Sequence, residues 1–235
     1  FVLWRLLHVS CLILSLLFSL ILFSPSHGWL SVVRQGQETA DVPNTDDRYG
    51  RTLCAGDFDG DGYDDLAVAA PDESNGLINS AAHGMVTISP GTARGISIEG
   101  VRTISVGDLG TEAARFGRAL AAGDFNQDGY DDLAVGIPQL NNFGGPDRGA
   151  VWIYEGGPSG LQLAPYLQIY YDDIEQFDED YANFGWALAV GDFDDDGFPD
   201  LAASAIGQNS DTGVVYFFFG SNAGLSTTGM QTMYP

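Results

Sequence analysis

DFDGDGYDD, residues 57–65, decides the fold of this 235-residue chain because the chain writes it three times. The other copies are DFNQDGYDD at 124–132 and DFDDDGFPD at 192–200. Oxygen-bearing side chains recur at positions 1, 3, 5 and 9 of the string: Asp57, Asp59, Asp61 and Asp65, then Asp124, Asn126, Asp128 and Asp132, then Asp192, Asp194, Asp196 and Asp200. Ca²⁺ takes about 6–8 oxygen ligands at roughly 2.3–2.6 Å, which a short loop supplies only by curling around the ion. Alternate residues then point inward, and glycine at position 6 (Gly62, Gly129, Gly197) allows the sharp turn. Position 7 (Tyr63, Tyr130, Phe198) has no carboxylate, so its expected ligand is the backbone carbonyl. The reading is about three calcium ions, one per copy; Mg²⁺ suits such a cage less because it keeps its waters. The plain alternative is a solvated Asp- and Gly-rich turn. That alternative leaves carboxylates crowded together three times with no cation between them.

An EF-hand shares this opening but needs a bidentate Glu at position 12, where this chain has Val68, Val135 and Ala203. Each string is followed instead by a short apolar run, LAVAAP at 66–71, LAVGIP at 133–138 and LAASAIG at 201–207. Runs of that length bounded by Gly and Pro read as buried strands. The acidic string is therefore expected to join two strands of a hairpin.

The self-similarity reaches beyond the string. Asp57 and Asp124 are 67 residues apart, and Asp124 and Asp192 are 68 apart. Upstream stand YGRTLCAGDF (49–58), FGRALAAGDF (116–125) and FGWALAVGDF (184–193); downstream come GMVTISPG (84–91), GAVWIYEGG (149–157) and GVVYFFFGS (213–221). With a further segment such as LQIYY (167–171), each unit offers four strands, the arithmetic of a propeller blade. The fold class is all-β, with four-stranded antiparallel blades.

These units resemble FG-GAP repeats, the blades of the integrin α-subunit β-propeller and of many secreted proteins. Phe116-Gly117 and Phe184-Gly185 carry the opening of the motif and Gly136-Ile137-Pro138 the closing tripeptide, with the calcium string between them. The first copy opens Tyr49-Gly50 and closes Ala69-Ala70-Pro71, and the third has no Pro after Ala205-Ile206. The expected organisation is a signal peptide at 1–28, an N-terminal segment or strand of a closing blade at 29–48, repeats at 49–115 and 116–183, and an incomplete repeat at 184–235. The resemblance implies a seven-bladed propeller, so the chain is expected to be the N-terminal part of a longer protein. Self-assembly of partial propellers is the alternative, because three blades leave open faces.

The net charge is −23, all nine basic residues are arginine, and eleven of the acidic residues are the string aspartates. Such a balance argues against nucleic acid or an anionic membrane surface as a partner. Arg5 precedes an apolar run from Leu6 to Phe23, and Ser26 and Gly28 suit cleavage before Trp29. The segment reads as a secretory signal peptide, with an uncleaved signal anchor as the alternative. Either way the repeats face an extracytoplasmic space: secreted, at the cell surface, or periplasmic in a bacterium. No membrane insertion of the mature repeats is expected. Cys54 is the only cysteine after the signal and reads as a small core residue; with no Asn-x-Ser/Thr acceptor either, stabilisation falls to packing and metal.

After the signal His83 is the only histidine, and no lysine exists. The usual pairings of nucleophile and base are missing, so this segment is not expected to be an enzyme, and no catalytic residue is assigned. Some FG-GAP relatives, such as phospholipases that cleave glycolipid anchors, carry a separate catalytic domain. Trp152, Tyr154, Tyr216, Phe217, Phe218 and Phe219 fall on expected strands and read as packing. Tyr166, Tyr170, Tyr171 and Phe177, near the acidic DDIEQFDED, and the loop at 141–148 are the candidates for recognition. The leading reading is a calcium-stabilised adhesion or protein-interaction module, its ligand on the variable loops. The alternative is a carbohydrate-binding propeller or an accessory domain of a secreted hydrolase.

Overall fold

The computed structural model describes residues 47–74, 82–107, 113–141, 145–174 and 180–235. The expected signal peptide and Phe177 lie outside them. Three four-stranded antiparallel sheets follow one another along the chain, each with its strands in sequence order. The first sheet is β1 (Thr52–Gly56), β2 (Asp65–Ala70), β3 (Met85–Ser89) and β4 (Arg102–Ser105). The second is β5 (Ala119–Gly123), β6 (Asp132–Ile137), β7 (Ala150–Tyr154) and β8 (Leu167–Tyr170). The third is β9 (Phe184–Gly191), β10 (Asp200–Ala205), β11 (Val214–Phe218) and β12 (Gln231–Met233). Among the described residues, two single-turn helices, α1 (Tyr171–Ile174) and α2 (Gln208–Asp211), were not expected from the sequence. No helix among the described residues is long and apolar enough to cross a membrane.

The register repeats with the sequence. Cys54 pairs with Ala67, Ala121 with Ala134 and Ala189 with Ala202, so each acidic string is the connection of the hairpin that opens its blade. The third hairpin differs, with a register shift between Ala203 and Ala205. Ser204, which stands where Gly136 stands in the second blade, accepts the amide of Ala187 there at 3.1 Å.

Because strand side chains alternate between faces, each blade supplies two different surfaces. Ala67, Ala69, Val86, Ile88 and Ile104 of the first blade meet Phe116, Leu133, Val135 and Tyr154 of the second in one buried cluster. Ala134, Val151, Ile153 and Ile169, on the other face of the second blade, meet Phe184, Leu201, Tyr216 and Phe218 of the third. The core therefore lies in the seams between blades. Full burial of each such aliphatic or aromatic side chain contributes roughly 1.5–3 kcal/mol.

The Phe-Gly opening of each repeat is the seam fastener. Phe116 lies edge-on to Trp152 and Tyr154 of its own blade, with centroids 6.1 Å apart in both pairs, while its amide donates to the His83 carbonyl of the preceding blade at 2.9 Å. Phe184 repeats this against Tyr216 and the Arg148 carbonyl, at 5.5 and 3.0 Å. The backbones approach so closely that a Cβ on Gly84 would lie 2.3 Å from the Phe116 oxygen, and one on Gly149 2.3 Å from that of Phe184. Glycine is required there by contact, not only by its positive φ.

Candidate metal centres

Each acidic string closes on itself through the same hydrogen bonds. The position 1 carboxylate accepts the amides of positions 5 and 6: Asp57 from Asp61 (3.1 Å) and Gly62 (2.9 Å), Asp124 from Asp128 (3.0 Å) and Gly129 (2.9 Å), Asp192 from Asp196 (3.2 Å) and Gly197 (3.0 Å). Position 3 accepts the position 5 amide as well, through Asp59, Asn126 and Asp194. Position 5 accepts the amide of position 7, from Tyr63, Tyr130 and Phe198 at 2.9, 3.0 and 2.9 Å. One backbone shape thus gathers all three sets of oxygens.

That shape needs two left-handed residues, where sequence reasoning found one. Position 6 has φ of 88°, 92° and 94° at Gly62, Gly129 and Gly197. Position 4 is also positive, at 71° for Gly60, 55° for Gln127 and 61° for Asp195. A non-glycine residue in this region costs about 1–2 kcal/mol, less for Asp. Only the glycine of the first copy hinted at it.

Position 9 also ties the string to the third strand of its blade. Asp65, Asp132 and Asp200 are buried at the start of the second strand and bind the amide that follows the third strand: Gly91 at 2.7 Å, Gly156 at 3.0 Å and Gly220 at 2.8 Å. The second oxygen accepts from Phe58 (3.3 Å) in the first copy and from Phe193 (2.7 Å) in the third. In the second copy the Phe125 amide faces buried Asp132, but Oδ2 makes no hydrogen bond of ordinary geometry among the described residues. Burial, then the charges of Asp128 and Asp124, push the Asp132 carboxyl up to about 7, against the pull of the Gly156 and Phe125 amides. Burial likewise raises Asp65.

Asp57, Asp59 and Asp61 each hold one oxygen within 4.8 Å of the others, as do Asp192, Asp194 and Asp200. Two oxygens bound to one Ca²⁺ at about 2.3–2.6 Å are separated by no more than about 5 Å, so both sets fit that ion. The hard, anionic donors point the same way. The second copy differs in charge, since neutral Asn126 occupies position 3 and its Nδ2 donates to Asp128 Oδ2 at 3.1 Å.

The strings also touch one another across the seams. Asp131, at position 8, donates its amide to the Asp57 carbonyl and accepts the Asp57 amide on Oδ2, both at 3.0 Å. Pro199 holds that position in the third copy and has neither group. There Gln127 reaches over instead, its Nε2 donating to the Gly197 carbonyl at 2.6 Å. The doubled Asp64-Asp65 and Asp131-Asp132 were the available signal for this role, against Pro199-Asp200.

The recognition candidates fare differently. Tyr171 is 1% exposed and belongs to the seam, which corrects its reading as a surface aromatic; it follows the outer strand directly. Arg148 is buried and pairs with Asp172 and Asp180 at 2.5 and 3.2 Å, so part of the 141–148 loop is tied to the acidic stretch. Tyr166 is 38% exposed, and its hydroxyl accepts the Leu225 amide at 3.3 Å. Cys54 is a free thiol packed against the first seam, and burial raises its pKa.

The FG-GAP repeat family model matches residues 49–87, 116–154 and 184–218. Phosphatidylinositol-glycan-specific phospholipase D of Rattus norvegicus is 35% identical over 186 residues, covering 73% of this chain and 20% of that protein. Integrin alpha-5 of Xenopus laevis is 33% identical over 218 residues, covering 90% of this chain and 19% of its own length. The chain thus spans about a fifth of the length of these relatives. A crystal structure of rhamnogalacturonan lyase YesW superposes with a TM-score of 0.47 at 13% identity, over 78% of this chain and 34% of that one. With three matched repeats, each laid down as one four-stranded blade, and with homology to integrin α subunits, this chain belongs to the FG-GAP repeat family.

Proposed function

We propose that the chain is a calcium-stabilised, extracytoplasmic propeller module whose task is binding another protein, in adhesion or a related contact. The observation that carries this reading is the threefold repetition of one oxygen cage: each copy folds its position 1, 3 and 5 side chains onto the same amides. Crowded carboxylates of like charge are unfavourable without a cation, and calcium would convert that repulsion into a clamp on each hairpin. The proposed ligands are the position 1, 3, 5 and 9 side chains with the carbonyls of Tyr63, Tyr130 and Phe198. Calcium here is structural, holding strands rather than reacting.

Protein rather than sugar is favoured because the aromatic side chains are largely spent in the seams. Tyr154, Tyr216 and Phe218 are fully buried and Trp152 packs beside Phe116. The variable loops opposite the cages are the recognition surface, as loops on rigid scaffolds commonly are. Homology to integrin alpha-5 agrees with an interaction role, and any catalysis would reside outside these repeats. The test is the melting temperature in calcium, in magnesium and in chelator. A rise specific to calcium is expected; equal melting in all three would remove the structural role of the metal.

A further inference from the structure

The arginines are concentrated in one motif. Four of the nine form Arg48-Tyr-Gly-Arg51 and Arg115-Phe-Gly-Arg118, at the openings of the first two repeats. In both, the first arginine has φ of 56° and its carbonyl accepts the amide of the second, at 3.0 and 3.1 Å. The two turns are neighbours: Thr52 Oγ1 donates to the Arg118 carbonyl at 3.1 Å, and Asp72 lies between Arg48 (3.1 Å) and Arg115 (3.5 Å). Trp186 stands at the matching position of the third repeat, and the Arg118 guanidinium lies 4.3 Å from its ring centroid.

Asp72 answers the first arginine of each motif, while Arg51 and Arg118 make no ion pair among the described residues. Arg51 is exposed, and Arg118 Nε is buried with no hydrogen-bond partner among the described residues. Burial, then the nearby charges of Arg51 and Arg115, lower the pKa of Arg118, and Asp72 offsets this only in part. The acidic cages do not relieve this. They follow the C-terminal ends of β1 and β5, about 17 Å of strand away, which is beyond the screening length of about 8 Å at physiological salt.

We infer that Arg51 and Arg118, braced by Trp186 and by the Arg48–Asp72–Arg115 chain, form a binding site for a carboxylate side chain of a protein partner. A planar guanidinium takes a carboxylate through two parallel N–H donors, and two such forks on adjacent blades suit one acidic residue or a short acidic segment. An acidic sugar fits less well because Arg118 covers the aromatic ring on which it would stack. An extended polyanion is opposed by the net charge of −23. The inference rests on the protein-binding reading and names the chemistry of its contact.

The test is an NMR titration of the arginine Nε–H resonances of the 235-residue chain, with calcium present. The probes are triglutamate, trigalacturonate, and sodium chloride at matched ionic strength. Saturable shifts at Arg51 and Arg118 with triglutamate are expected, at least fivefold tighter than with trigalacturonate and absent with chloride. Arg51→Gln, at an exposed position, should weaken triglutamate at least tenfold, Arg118→Lys severalfold, and Arg94→Gln, on a distant turn, should leave it unchanged. Shifts that do not saturate, equal affinity for trigalacturonate, or unaltered affinity in Arg51→Gln would each overturn the site. None of these results alters the calcium dependence of melting, so the two readings fail separately.

Discussion

Phe58 and Phe125 are fully buried, whereas Phe193, in the same position of the third repeat, is 47% exposed. The glycines behave alike. Gly84 and Gly149 are pressed against the Phe-Gly opening of the following blade, but a Cβ on Gly213 would meet nothing closer than 3.6 Å. Beside Gly213 a cavity of about 350 Å³ is lined by Ser204, Ile206, Val215, Met233 and Tyr234. These positions correspond in register to those that hold Phe116 and Phe184 in the two seams. The contrast teaches that an FG-GAP repeat is written for its neighbour: the Phe after the first cage aspartate belongs to the next seam, not to its own blade.

Single substitutions can break that comparison. Phe125→Ala should destabilise by about 3–5 kcal/mol and Phe193→Ala by less than about 1 kcal/mol, read from denaturant midpoints. Equal losses would mean that Phe193 is covered in solution. Gly149→Ala forces a methyl into the Phe184 carbonyl at a left-handed φ, and about 3 kcal/mol or more is expected. Gly213→Ala meets only the backbone term, about 1–2 kcal/mol.

The cages extend the comparison. With Asn126 in place of an acid, the second cage has one charge fewer than the others and should bind calcium most weakly. Asn126→Asp should tighten it, which a calcium titration would read. The Asp132 carboxyl adds a pH dependence, being near 7 in the metal-free fold against about 3.9 in an unfolded chain. The fold therefore keeps a proton that the unfolded chain releases, so metal-free stability falls as pH rises from about 4 to 7 and levels off above. Calcium needs the ionised form, so its binding should tighten over the same window. Melting in chelator at pH 5 and pH 8 checks the sign, and Asp132→Asn should flatten the slope. The smallest effect is expected at position 4 of the cage. Asp195→Gly, at φ 61°, should add about 0.5–1 kcal/mol, whereas Gly60→Asp should destabilise because Tyr130 lies 2.7 Å from the added Cβ.

The blades and their hairpins were legible because the period, the cage spacing and the apolar runs all repeat. What was not legible depends on contacts between repeats. Asp131 reads as one more loop acid until its carboxylate meets the Asp57 amide in the neighbouring cage. Tyr171 reads as part of an exposed acidic stretch, yet it lies in the second seam. Arg51 and Arg118 stand at the same place in their repeats, but their nearness across two blades has no signature within one repeat.

The most direct test of the account is the number of calcium ions bound, by calorimetric titration of the chelator-stripped 235-residue chain against calcium and magnesium. About three calcium sites are expected, with one lost in each of Asp61→Ala, Asp128→Ala and Asp196→Ala. Binding of magnesium as tightly as calcium, or an unchanged count in those variants, would contradict the assignment of the three cages.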